Sequence, residues 1–123
     1  GLEDKIVFMG RISDQEKISM YQKCRIYIQP TYFEGFGMAI AESMACGAPV
    51  ITSPKGAVPE IVADCTLFVT PDDISNIADG IIKLVDEYDF AKELGLIGRK
   101  RIEEMYSLEK RKNALKLLIE SIL

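Results

Sequence analysis

Glu34 and Glu42 stand eight positions apart in the run Glu34-Gly35-Phe36-Gly37-Met38-Ala39-Ile40-Ala41-Glu42. An ionised carboxylate only accepts hydrogen bonds, and it can take two hydroxyl donors at once. Such a group suits a diol on a ribose or a hexose. Gly35 and Gly37 carry no Cβ, so a ligand can approach the backbone between the two acids. A helix opening near Gly37 and Met38 points free N–H groups outward, and its dipole favours an anion. The combination suits a phosphate-linked sugar. The plainer alternative is a glycine-containing loop with one solvated Glu and one Glu on a helix face. Glu42 weighs against it, because its neighbours Ala39, Ile40, Ala41, Met44 and Ala45 are apolar and Glu is almost never fully buried unless paired.

The flanking elements must position these acids. Arg25-Ile26-Tyr27-Ile28-Gln29-Pro30 predicts a buried strand ending at a proline, and Ser43-Met44-Ala45-Cys46-Gly47 closes a short helix from about Met38 with a glycine stop. Glu34 then lies on a strand-to-helix loop and Glu42 about one turn into the helix. Both fall at the carboxyl edge of a strand, where open α/β sheets bind their ligands. Upstream, Lys5–Gly10 reads as a short apolar strand. Ser13 with Glu16 three residues later forms a capping box, opening a helix that carries Ile18, Tyr21 and Gln22 to about Cys24. Downstream, Pro49–Thr52 is a third strand and Gly56–Glu60 a turn. Pro59 is placed to start a short helix through Val62. Thr66–Val69 is a fourth strand, stopped by Pro71. This alternation predicts an α/β, Rossmann-like three-layer fold with a parallel sheet of about four strands. The C-terminal third is helical. Asp73 caps a helix with Ile77, Ile81, Leu84 and Val85 on one face. A second helix spans about Phe90 to Tyr106, interrupted by Gly95 and Gly98, and Ser107 caps a third. The third helix bears the stripe Leu115, Leu118, Ile119 and Ile122, which is expected to pack on its own domain.

The stretch Gln29-Pro30-Thr31-Tyr32-Phe33-Glu34-Gly35-Phe36-Gly37, followed by Ala41-Glu42-Ser43-Met44-Ala45-Cys46-Gly47-Ala48-Pro49-Val50-Ile51, resembles the donor-binding core of glycosyltransferase family 4, the group 1 glycosyltransferases. Lys55-Gly56-Ala57-Val58-Pro59-Glu60-Ile61-Val62 is similar to a second motif of that family. The resemblance runs over nearly the whole chain. It implies the C-terminal half of a GT-B fold, in which two Rossmann-like domains face a cleft. Glu42 would then bind ribose hydroxyls, and backbone N–H groups near Gly37, Met38 and Ala39 would hold the diphosphate. Glu34, with the Gly35-Phe36-Gly37 loop, would hold the transferred sugar at the reacting centre. The implied reaction is transfer with retention of anomeric configuration, from a nucleotide-sugar donor to a carbohydrate or lipid-linked acceptor. It needs no cofactor and no bound metal. Stabilising the departing diphosphate would be the main electrostatic task.

The resemblance also implies that residues 1–123 form a single truncated C-terminal domain. The N-terminal acceptor domain, the first strands of the donor domain and the family's basic pair would lie ahead of it, so this piece alone is expected to be inactive. A non-catalytic nucleotide-sugar-binding or scaffold module of the same fold is the alternative. A generic phosphate-binding Rossmann-like domain is a third reading, disfavoured for dinucleotides because no Gly-x-Gly-x-x-Gly follows the first strand.

Composition narrows the field. A net charge of −4 without basic clusters argues against nucleic acid and against an anionic membrane surface. There is no His, which removes His-based metal sites, Ser-His-Asp triads and Cys-His dyads within this chain. Cys24, Cys46 and Cys65 lie in apolar contexts without Cys-x-x-Cys spacing, as reduced thiols of a cytoplasmic protein would. The full-length parent would be cytoplasmic, at most peripheral to a membrane.

Several residues are open between two roles. Arg11 can reach a base or phosphate or can be a solvated loop Arg. Lys55 and Gly56 can approach the diphosphate or form a surface turn. Tyr32 and Phe33 can wall a pocket or pack beneath the loop. Asp72-Asp73 reads as helix capping rather than a metal-diphosphate site.

Strand order adds one expectation. The family's donor domain has the order 3-2-1-4-5-6, and this chain matches it from the third strand. Lys5–Gly10 would then either move beside Arg25–Pro30, completing four strands, or leave an apolar edge through which two chains pair. Either arrangement predicts a homo-oligomer.

Overall fold

A computed structural model describes all residues 1–123. Three short parallel strands form the sheet in the order β1-β2-β3: β1 (Tyr27–Gln29), β2 (Val50–Thr52) and β3 (Leu67–Phe68). Tyr27 aligns with Val50, Ile28 with Ile51 and Gln29 with Thr52, while Ile51 aligns with Leu67. Six α-helices surround the sheet: α1 (Asp14–Lys23), α2 (Met38–Ala45), α3 (Val58–Val62), α4 (Ile74–Asp86), α5 (Tyr88–Tyr106) and α6 (Leu108–Ile122).

β2 is buried along its whole length, as the central strand of a parallel sheet should be. Its alternating side chains divide the core in two. Val50 packs with Ile40, Met44, Val58, Ile61, Val62 and Ile102, beneath α2, α3 and the end of α5. Ile51 packs with Val69, Leu84, Ala91 and Leu94, beneath α4 and the start of α5. Helices therefore cover both sheet faces, and the C-terminal helices cover the second, as a parallel sheet requires.

The helix starts follow the caps in the sequence. Ser13 and Glu16 form the reciprocal capping box of α1. Asp73 accepts the Asn76 N–H at the start of α4, at 2.9 Å. Ser107 accepts the Lys110 N–H at the start of α6. Pro59 sits in the first turn of α3. α5 continues through Gly95 and Gly98 because both press against α2 and its end. A Cβ on Gly95 would lie 2.3 Å from the Gly47 carbonyl oxygen.

Three expectations are corrected. Lys5–Gly10 is not a strand: a 3₁₀ turn occupies Glu3–Lys5 and every residue of the segment is exposed. Nothing pairs with it, since β1 bonds only to β2, and three strands remain where four were expected. β1 is in consequence an edge strand rather than a buried one, with Ile28 exposed. The α6 stripe does not pack on the domain: Leu115, Leu118, Ile119 and Ile122 are all exposed, because α6 runs past α5 with no element on its far side.

Candidate functional site

The loop from β1 to α2 carries the motif. Gly37 takes a left-handed conformation (φ 88°) as the N-cap of α2 and supplies no capping side chain. The first internal backbone bond of the helix runs from the Ala41 N–H to the Gly37 carbonyl, at 2.9 Å. The Met38, Ala39 and Ile40 amides thus open the helix without a protein acceptor, the arrangement that suits an anion. Met38 is exposed, Ala39 half-buried, and Gly37 itself buried. No residue follows Glu34 except Gly35 and Phe36 before this helix start, and Gly35 has open space around it.

Glu34 is half-buried and held at two points. Its carbonyl oxygen accepts the Ala57 N–H at 2.9 Å, and its carboxylate accepts the Gln29 side-chain amide at 3.1 Å. Gly56 explains itself through the first of these. It sits at φ 57°, and a Cβ there would lie 2.2 Å from the Glu34 carbonyl oxygen. The β2–α3 loop therefore lies directly on the backbone of the motif loop. Lys55 beside it is exposed.

Glu42 sits one turn into α2, 36% exposed, and its carboxylate pairs with the Lys17 ammonium of α1 at 3.0 Å. That hydrogen bond is the main reason the Lys17 amine is held above its usual range. Asp14 adds a longer contact to the same ammonium, at 3.6 Å. The groove between α1 and α2 is a cavity of about 460 Å³ lined by Asp14, Lys17, Tyr21, Glu42 and Cys46. On its other side Glu42 borders a cavity of about 650 Å³, walled by Phe36, Met38, Ile102 and Tyr106 and reached by Lys110 and Arg111.

An aromatic floor joins the two acids. Tyr21 and Tyr27 meet edge to face with centroids 5.4 Å apart. Burial, and then the neighbouring Tyr21, Glu42 and Glu34, push the Tyr27 hydroxyl up to about 12. Burial and Glu42 likewise raise Tyr21. Both phenols therefore stay protonated near neutrality, and the Tyr27 hydroxyl donates to the Gln29 amide oxygen.

The remaining candidates fall around this centre. Phe36 packs edge-on against Tyr106, with centroids 5.9 Å apart. Tyr32 and Phe33 are exposed, and the Tyr32 hydroxyl donates to Asp72. Arg11 is exposed and makes neither a hydrogen bond nor an ion pair. The three cysteines are free, each thiol raised chiefly by burial. A cavity of about 500 Å³ at the opposite, amino edge of the sheet contains Lys23, Arg25, Lys92 and Arg99. The carboxyl ends of α1, α2 and α4 converge there, and cations complement such ends. Arg25, for instance, donates to the Val85 carbonyl at 2.9 Å.

Two polar partners are not evident from the sequence alone. Lys17 lies on a different element from Glu42, and only the packing of α1 on α2 joins them. Gln29 carried one visible signal, a polar side chain in an otherwise apolar strand. No helix of the chain is long and apolar enough to cross a membrane.

Comparison with known proteins shows the family. The family model for glycosyl transferases group 1 matches residues 1–101. The O-antigen chain mannosyltransferase B of Escherichia coli is 31% identical over 119 residues, covering 94% of this chain and 31% of that protein. The MMP alpha-(1->4)-mannosyltransferase of Mycolicibacterium hassiacum is 31% identical over 110 residues, covering 87% of this chain and 27% of that protein. The chain thus spans about a third of the length of the curated relatives it matches. Among solved structures, sucrose-phosphate synthase from Thermosynechococcus elongatus superposes with a TM-score of 0.91 at 29% identity, over 98% of this chain and 31% of that one. The C-terminal domain of a glycosyl transferase group 1 family protein from Francisella tularensis gives 0.76 at 30% identity, over 87% of this chain and 56% of that one. The chain belongs to the group 1 glycosyl transferases.

Proposed function

We propose that the chain is the donor-binding C-terminal domain of a retaining glycosyltransferase, which moves a sugar from a nucleotide-sugar to a glycan or lipid-linked saccharide. The observation that carries this reading is the uncapped start of α2 with Glu34 just ahead of it and Glu42 one turn inside. In this reading the Gly37, Met38 and Ala39 amides hold the diphosphate, and Glu42 accepts the ribose hydroxyls. Glu34 meets the transferred sugar. Gly35 and Phe36 keep the loop open to it. Arg11 and Gly56 stand at the margin of the donor, beside its base and its diphosphate. The transfer proceeds without a metal, the departing diphosphate being stabilised by fixed N–H groups and charges. A second domain supplies the acceptor and completes the site, so the isolated chain does not catalyse transfer. The full protein works in the cytoplasm or at a membrane surface facing it.

The experiment is an assay of the full-length protein with a panel of nucleotide-sugars and of glycan and lipid-linked saccharide acceptors, in excess chelator. The panel starts from nucleotide-linked mannose, the sugar named in both curated relatives above. Release of nucleoside diphosphate, with a product of unchanged anomeric configuration by NMR, supports the proposal. No release from any donor, or an inverted product, contradicts it.

A further inference from the structure

We propose that Gln29 is a positioning residue, which holds the Glu34 carboxylate with one oxygen engaged and the other free for the transferred sugar. The proposal rests on the reading of Glu34 given above. Tyr27 and Gln29 are two residues apart in β1 and so share one face of the strand. The Tyr27 hydroxyl donates to Gln29 Oε1 at 2.5 Å. The Glu34 carboxylate fixes which end of the amide points where, since it only accepts and so requires the amide nitrogen, which leaves the amide oxygen to the Tyr27 hydroxyl. The amide nitrogen then faces the loop and donates to Glu34 Oε1 at 3.1 Å.

Both ends of this relay are anchored in backbone. The hydroxyl of the buried Thr52 on β2 donates to the Gln29 carbonyl at 2.9 Å. The Ala57 N–H holds the Glu34 carbonyl. Glu34 therefore has its main chain and its carboxylate fixed independently, as a residue aimed at a reacting centre needs. The choice of an amide matters. A neutral donor orients the carboxylate and leaves its charge and remaining lone pairs for the ligand. Glu42, in contrast, faces a full cation in Lys17.

The test is a double-mutant cycle in the full-length transferase. Gln29→Leu is made alone and on a Glu34→Ala background, and the rate of transfer and the affinity for free nucleoside diphosphate are measured. Gln29→Leu should slow transfer about tenfold and leave nucleotide affinity within about twofold. On the Glu34→Ala background it should cause no further loss. An equal loss on both backgrounds, or a parallel loss of nucleotide affinity, overturns the proposal. So does a slowed Glu34→Ala enzyme whose Gln29→Leu counterpart keeps the wild-type rate. A Glu34→Ala enzyme with the wild-type rate overturns the reading of Glu34 itself, and the proposal with it. Should Gln29→Leu fail to fold, Tyr27→Phe removes only the hydroxyl that holds the amide oxygen in place. It should show the same background-dependent loss, and a rate unchanged on both backgrounds overturns the proposal.

Discussion

Ala57 donates its backbone N–H to the carbonyl oxygen of Glu34 at 2.9 Å, so the β2–α3 loop is clasped to the motif loop at the residue that leads into α2. Gly56 makes the clasp feasible, because it is left-handed and has no Cβ to strike that oxygen. Gly56→Ala combines a strained backbone with a backbone clash. It should cost about 1–3 kcal/mol in urea unfolding and weaken donor binding by loosening Glu34. Wild-type stability in that variant would show that the clasp is not needed.

Gly95 tests how closely α5 must approach the end of α2. In an exposed helix, Gly→Ala stabilises by up to about 1 kcal/mol. Here a Cβ would meet the Gly47 carbonyl oxygen at 2.3 Å. Gly95→Ala should therefore destabilise by about 1–3 kcal/mol, as overpacking does. A rise in the thermal midpoint would mean that the two helices separate freely.

The floor of the site makes the fold sensitive to alkali. The Tyr27 hydroxyl is pushed from 10 up to about 12, and the Lys17 amine is raised by Glu42. For both groups the folded state holds the proton more tightly than the unfolded chain. Their stabilisation is complete below pH 10 and is lost as pH rises through the folded values. Thermal midpoints should fall between about pH 10 and 12, and the fall should be shallower in Tyr27→Phe. Identical alkaline profiles for the two proteins would remove Tyr27 from the account.

Val7 and Phe8 are 76% and 93% exposed, and the outer edge of β1 is unpaired. An open strand edge and an apolar segment invite pairing with a second chain. The 123-residue chain should self-associate as its concentration rises, and a Val7→Lys, Phe8→Glu double variant should suppress this in light scattering. A monomeric wild-type chain at high concentration would show that the edge is passive.

The site was legible where its chemistry is local in sequence. Ser13, Asp73 and Ser107 announce their helices, and the Gly37 turn announces α2, because each acts within one helical turn. Val50 and Ile51, on opposite faces of the sheet, read as an apolar run because both are buried. Lys5–Gly10 failed because a strand depends on a neighbour to bond to, which its own residues cannot supply. Leu115, Leu118, Ile119 and Ile122 failed for a related reason: the stripe is amphipathic, but no element of this chain lies opposite. Lys17 was missed because Glu42 lies on another element, and Gln29 because its bond to Glu34 depends on how the loop after β1 turns back on the strand. Glu42 was found because an acid in an apolar helix needs a partner, though the partner in this chain is a lysine.

The measurement that bears most directly on the account is calorimetric binding of a nucleoside diphosphate to the full-length protein and to its Glu42→Gln variant. If Glu42 accepts the ribose hydroxyls, the variant should lose about 1.5–3 kcal/mol of affinity, the worth of hydrogen bonds to a charged acceptor. Its stability should change by no more than about 1 kcal/mol, since the Lys17 pair is partly exposed. Unchanged nucleotide affinity in a folded Glu42→Gln protein would contradict the assignment of this edge of the sheet as the donor site.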